Sequence, residues 1–108
     1  MAADQRKGKE YKALRQSLLE CLRKRGVDSV LYRDKVDEYM DFWILHKELQ
    51  RDIRERGMVV FDDRNRPSEN RSISLDIQVS RQMLALFTAM GFKPEDLAGG
   101  NGGDDDDL

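Results

Sequence analysis

From Asp28 to Arg56 the chain carries no glycine and no proline, the longest such run in its 108 residues. Its residues tolerate a helix, and at ~1.5 Å per residue the run predicts one helix on the order of 40 Å long. Both ends are marked. A side-chain oxygen of Asp28 or Ser29 can accept from an orphan backbone N–H at the start. Arg54 and Arg56 put positive charge at the negative end of the helix dipole, and Gly57 supplies a left-handed residue just past it.

The apolar residues of this run do not form one stripe. Tyr32, Val36, Tyr39 and Trp43 make one row, and Phe42, Leu45, Leu49 and Ile53 make a second on a shifted face. Where the rows overlap, Tyr39, Met40, Phe42, Trp43, Ile44 and Leu45 leave the helix apolar almost all round, and such a helix needs cover on several sides. The remaining chain offers little material for this. Those six residues are therefore the expected interface of a homo-oligomer above a dimer. The alternative is the central helix of a three-helix monomer, since a small domain buries only a modest fraction of its surface.

Charged residues make up 37% of the chain and hydrophobic ones 39%. That balance implies one small domain with a heavily ionised surface, for which self-association is a plausible support. No apolar run approaches the ~20 residues that span a bilayer, and the opening residues do not read as a signal peptide. A single cysteine, Cys21, excludes an intrachain disulfide and suits a reducing cytoplasm.

Net charge is only −2, but it is unevenly spread. Residues 1–25 hold Arg6, Lys7, Lys9, Lys12, Arg15, Arg23, Lys24 and Arg25 against three acids, a net +5. Residues 95–108 hold Glu95, Asp96 and Asp104–Asp107 with no base, a net −6. A basic end and an acidic end imply two different partners, or masking of one by the other. The eight basic residues are the candidate DNA contacts, because they can neutralise phosphates and release counterions. They show no base-reading pattern, and a solvated helix face explains them equally well for one isolated copy.

Residues 1–9 read as a flexible basic arm, 10–97 as the folded domain and 98–108 as a disordered Gly/Asp tail. Lys9–Arg25 predicts a first helix whose face is Tyr11, Leu14, Leu18, Cys21 and Leu22, with Cys21 as a small core residue and Gly26 closing the end. Met58–Phe61 is a short β-prone run and Asp62–Pro67 is turn chemistry, so the connection is either a short β-hairpin or an ordered irregular loop. Ser72 or Ser74 is expected to start a last helix reaching Met90. Its face is Val79, Met83, Leu86 or Phe87, and Met90, flanked by Ile73, Ile77 and Leu84. Gly91 ends it, Phe92 can make the accompanying apolar contact, and Pro94 blocks continuation. The expected fold is mainly α: first helix, long central helix, irregular or hairpin connection, last helix.

One histidine and one cysteine cannot build a common structural zinc site within a chain. Phosphate-cradling glycine loops are missing, and no cofactor is expected. His46 reads as a packed or half-exposed residue of the long helix. Asp62, Asp63, Glu69 and Asp76 are the sharpest enzymatic candidates, since a metal-dependent nuclease gathers two or three carboxylates around its ions. The simpler reading is a solvated turn with local ion pairs. The turn at Arg25–Ser29 is short enough for a helix-turn-helix, but the helix after it is too long and too acidic at its start to read DNA.

Three features give the chain a resemblance to the small terminase subunits of tailed double-stranded-DNA phages, in the compact branch without an obvious helix-turn-helix. The long helix rich in Tyr and Trp ends in Arg56-Gly57-Met58-Val59-Val60. A polar connection leads to Glu69-Asn70-Arg71-Ser72. Met83-Leu84-Ala85-Leu86 runs into Met90-Gly91-Phe92-Lys93-Pro94, where the family often has Leu-Gly-Leu-Thr-Pro. The chain departs from the family at Asn70-Arg71, where Asn-Pro is common, and at Asp96 and Leu97, where an Arg often stands.

The resemblance implies a non-enzymatic ring that binds viral double-stranded DNA in the cytoplasm of the infected bacterial host. It would present that DNA to the large ATPase–nuclease subunit during genome packaging. A small helical regulatory or antitoxin-like oligomer with an acidic partner-binding tail is the alternative expectation.

Overall fold

The computed structural model of the protein describes residues 8–27, 29–93 and 95. The elements are α1 (Lys9–Lys24), α2 (Val30–Arg56), β1 (Val59–Phe61), β2 (Pro67–Glu69) and α3 (Arg71–Ala89). The mainly helical expectation is met, and of the two connections considered the chain forms the hairpin.

The long run becomes one helix. Ser29 caps it, its Oγ accepting from the Tyr32 N–H at 3.4 Å. Asp28, the other candidate cap, lies outside the described residues. At the far end the Gly57 N–H closes on the Ile53 carbonyl, with Gly57 at φ +82°.

The flanking helices both run antiparallel to α2. On one side Tyr11 meets Trp43 edge-on at 6.0 Å between ring centres, and Arg15 reaches Asp37. On the other, Ser72 meets Asp52, Asp76 meets His46 and Phe87 meets Tyr39. α1 therefore covers only the first half of α2, whereas α3 follows nearly all of it. The main core cluster is Tyr11, Leu18, Leu22, Val36, Met40, Ile44, Phe87, Met90 and Phe92, at the three-helix end, and Val79 of α3 is buried apart from it.

The seam of α2 is Val36, Met40 and Ile44, spaced by four residues and almost fully enclosed. It takes Val36 from the first row read from the sequence and lies on the side of that row away from the second. Two helices packed on adjacent sides centre burial on the line between them, so Tyr32, Tyr39 and Trp43 are left half-buried at the margin. Met40 and Ile44 are thus enclosed by their own chain and do not face a neighbour.

Two local expectations are corrected. Cys21 is exposed, because α1 meets α2 along Tyr11, Leu18 and Leu22, and Cys21 falls off that line. The last helix starts at Arg71, not at Ser72 or Ser74. Its cap is Asn70, whose Oδ1 accepts from the Ser72 N–H at 2.9 Å. Asparagine ranks with serine as a cap, and here Asn70 also reaches back to Asp52 of α2 and to the Gly57 carbonyl just past it.

Gly91, at φ +87°, turns the chain out of α3. The Phe92 N–H then bonds back to the Phe87 carbonyl, and the Phe92 ring stacks on Phe87 at 5.0 Å. The Arg25 guanidinium donates to the Gly91 carbonyl at 2.7 Å and lies 4.9 Å over the Phe92 ring. This fastens the end of α1 to the end of α3.

Met40→Ala is expected to destabilise the fold by about 2–5 kcal/mol, the usual range for opening a cavity in a packed core. Leu45→Ala, at a position 45% exposed, should change monomer stability by about 0.5 kcal/mol or less. Urea unfolding followed by the fluorescence of Trp43, the single tryptophan, measures both.

Candidate nucleic-acid and self-association surfaces

Of the eight basic residues expected to meet DNA, Arg6 and Lys7 lie outside the described residues. Lys9, Lys12 and Lys24 are exposed on α1. The three arginines are already engaged. Arg15 Nε donates to Asp37 Oδ1 at 3.0 Å, Arg23 pairs with Glu20 one turn earlier, and Arg25 holds Gly91 and Phe92. Among the described residues α1 thus offers three lysines with no ion-pair partner, while Arg25 is first a structural fastening. Arg15, Glu20, Arg23 and Arg33 line a shallow groove between α1 and the start of α2, with charges of both signs.

The four carboxylates weighed for a nuclease do not come together. Among the described residues no three of His, Cys, Asp or Glu are grouped so that they could hold a metal ion. Asp62 organises the hairpin tip. Its Oδ1 accepts from the Arg64 and Arg66 backbone N–H groups, each at 2.8 Å, and its Oδ2 from Arg66 Nε at 2.7 Å. These bonds, that from the Arg66 backbone foremost, hold its carboxyl below the usual range. Asp63 lies beside it on the tip, and Glu69 sits at the hairpin base opposite Val59. Asp76 is on α3, where its Oδ1 is 2.6 Å from His46 Nδ1. That half-buried contact ties α2 to α3.

Of the six residues expected at an oligomer interface, Met40 and Ile44 are enclosed and Tyr39 and Trp43 sit at the core margin. Burial holds the Tyr39 phenol above its ordinary value. Phe42 and Leu45 face a different environment. With Leu49 of α2 and Leu75, Val79 and Gln82 of α3 they line an open groove of about 470 Å³. No residue of α1 lines it, because α1 covers another side of α2. The apolar surface continues along α3 past Leu84, which is 64% exposed, and Ala85. Exposed apolar surface gathered in this way marks an interaction face, whereas single scattered side chains do not.

At the two-helix end a polar knot replaces the apolar core. Arg56 grips Asp52 with Nε at 2.6 Å and Nη2 at 2.8 Å. Ser72 Oγ donates to Asp52 Oδ2 at 2.6 Å. Asn70, fully buried, donates from Nδ2 to Asp52 Oδ2 and to the Gly57 carbonyl. Its Oδ1 accepts from Arg56 and from the Ser72 N–H. The Arg56 bond first, then the Ser72 and Asn70 bonds, hold the Asp52 carboxyl far below its ordinary value.

Sequence reasoning missed this knot and the α3 side of the groove. Two signals pointed to the knot: an acid four residues before a base at the end of a helix, Asp52 and Arg56, and an asparagine directly before a helix-forming run. For the groove, Leu75 and Val79 at four-residue spacing were visible, but which face of α2 they would meet was not.

Comparison of the chain with protein-family models, with curated proteins and with solved structures finds no match. Among the described residues no helix is long and apolar enough to cross a membrane.

A depressed carboxyl contributes stability that is present above its unfolded value, near 3.9 for Asp, and lost as pH falls toward its folded value. Acidification below about pH 4 should therefore lower the urea midpoint of the native chain. Asp52→Asn should start lower at neutral pH and show a flatter acid limb. Asp62→Asn, at the exposed tip, should flatten that limb far less, and unfolding curves at several pH values distinguish the two.

Proposed function

We propose that this chain is a non-enzymatic, DNA-binding oligomer of the small-terminase kind, which gathers viral DNA and presents it to a large ATPase–nuclease partner in the host cytoplasm. The observation that carries the reading is the apolar face along α2 and α3. Phe42, Leu45, Leu49, Leu75 and Val79 line a groove that the monomer leaves open, on a chain whose main core cluster lies at the three-helix end. A second copy seated there would cover the side of α2 that α1 does not line. Because one groove per copy takes a different surface of its neighbour, such a contact repeats head to tail and closes into a ring where the rotation permits.

The lysines of α1 lie outside that groove, so the groove's side of the contact would leave Lys9, Lys12 and Lys24 exposed. Repeated around a ring, their fields would add. Binding of this kind rests on phosphate neutralisation, so it is weak for one copy, insensitive to sequence and steeply salt-dependent. The resemblance in Arg56-Gly57-Met58-Val59-Val60 and in Met90-Gly91-Phe92-Lys93-Pro94 supplies the packaging context; the groove and the lysines supply the physical means.

Light scattering on the purified chain is expected to give an assembly above a dimer, and Leu45→Glu with Leu75→Glu should reduce it to smaller species with helical circular dichroism retained. Lys9, Lys12 and Lys24 changed together to Glu should weaken mobility shifts on every DNA sequence alike. That change should also flatten the salt slope by ~0.9 in log K for each phosphate no longer neutralised. No ATP turnover or metal-dependent DNA cleavage should accompany binding. A stable monomer at micromolar concentration, or undiminished binding by the lysine variant, would defeat the reading.

A further inference from the structure

The hairpin has two free edges of unequal character. The Asn70 N–H bonds to the Met58 carbonyl and the Asp62 N–H to the Arg66 carbonyl. In an antiparallel ladder hydrogen-bonded pairs alternate with non-bonded ones, so Val60 and Ser68 are bonded to each other, while Val59 and Phe61 turn their backbone groups outward. On β2 the outward positions are Pro67 and Glu69. Proline has no N–H to offer and a charge discourages pairing, the usual means of blunting an edge. The β1 edge has neither protection. Its outward residues are apolar and exposed, Val59 at 51% and Phe61 at 61%, with Met58 beside them at 69%.

We infer that the β1 edge pairs with β1 of a second copy, antiparallel across a two-fold axis at Val60. The strand is complementary to itself in that register. Val59 falls opposite Phe61 of the other copy and Phe61 opposite its Val59, the four residues whose N–H and C=O groups point outward. Each pair exchanges both hydrogen bonds. Val60 faces Val60 as the non-bonded pair on the axis. Asp62 comes opposite Met58 and Asp63 opposite Gly57, so no charge meets a like charge. Pairing β1 with β2 of a neighbour would instead set Pro67 where an N–H is needed and Glu69 against an apolar residue. The two-fold contact also turns a hairpin into a four-stranded sheet, and two strands alone are marginal in water. Three residues a side bury too little area for a tight dimer by themselves, so the contact would link copies of two separate groove-joined assemblies, where its repetition adds; it uses separate residues and does not depend on the groove.

Cysteine cross-linking reads the register directly. In a Cys21→Ser background, Val60→Cys places two thiols across the axis with Cα atoms about 4.5 Å apart, within disulfide range. Val59→Cys and Phe61→Cys each set like residues more than about 7 Å apart, outside it. Under mild oxidation the Val60→Cys chain is expected to form covalent dimers on the order of tenfold faster than either neighbour. Val59→Pro removes an outward N–H without touching the ladder to β2, and combined with Val60→Cys it should suppress the cross-link with helical content unchanged. Leu45→Glu combined with Val60→Cys should keep the register preference, which separates this contact from the groove. Equal cross-linking at 59, 60 and 61, or a preference for 59 or 61, would overturn the inference.

Discussion

The architecture turns on one buried amide. Asn70 has two donors and two acceptor sites, and all are used: Asp52 and the last turn of α2 through Gly57 on one side, Arg56 and the first turn of α3 on the other. A helix end leaves carbonyls unpaired and a helix start leaves N–H groups unpaired. Asn70 serves a helix-start N–H, that of Ser72, and the carbonyl of Gly57 just past α2, so the C-terminus of α2 and the N-terminus of α3 are held at a single point. Its own N–H closes the base of the hairpin on Met58. The hairpin can thus be a short excursion, and α3 returns antiparallel along α2 in a fixed register. A network of this kind specifies one arrangement when every member is satisfied, and among the described residues no buried side-chain polar atom lacks a partner.

With the polar knot at one end and the apolar core at the other, the two halves of α2 live differently. The first half lies in a three-helix environment and is closed off by the Arg25 fastening to Gly91 and Phe92. The second half has α3 alone, with His46–Asp76 and the knot holding the pair together. The groove opens on a further side of α2, which α1 does not line because it packs along another side. The proposed self-association therefore rests on a side of α2 and α3 that α1 does not cover, more than on any excess of apolar residues.

The helices were legible because each rests on local rules. The span from Asp28 to Arg56 without a breaker, the Gly57 and Gly91 ends and the apolar spacing from Val79 to Met90 depend on nearby residues only. The burial of Cys21 was misread because Tyr11, Leu18 and Leu22 fill a narrower stripe than three- and four-residue spacing allows. Met40 and Ile44 looked like interface because a helix that is apolar all round does not reveal which sides its own chain will cover. Asn70 was hidden by the serines after it, which are equally good caps in isolation. Its advantage is tertiary, lying in Asp52 and Gly57 eighteen and thirteen residues away.

A net charge of −2 would by itself argue against DNA as a partner. The arrangement matters more than the total. α2 answers part of α1's charge with Asp37, and Glu20 within α1 answers Arg23, so the arginines that look most suited to phosphate are neutralised in place. Lys9, Lys12 and Lys24 remain, and a lysine is a strongly hydrated point charge on a flexible stem, without the planar fork that arginine presents to phosphate. A surface left with lysines alone binds phosphate without fixing its geometry. That suits a protein proposed to gather DNA of any sequence, and it ties useful affinity to the number of copies assembled. Groove and basic face lie on different helices, so the groove's half of such a contact would not bury the charge that assembly would multiply.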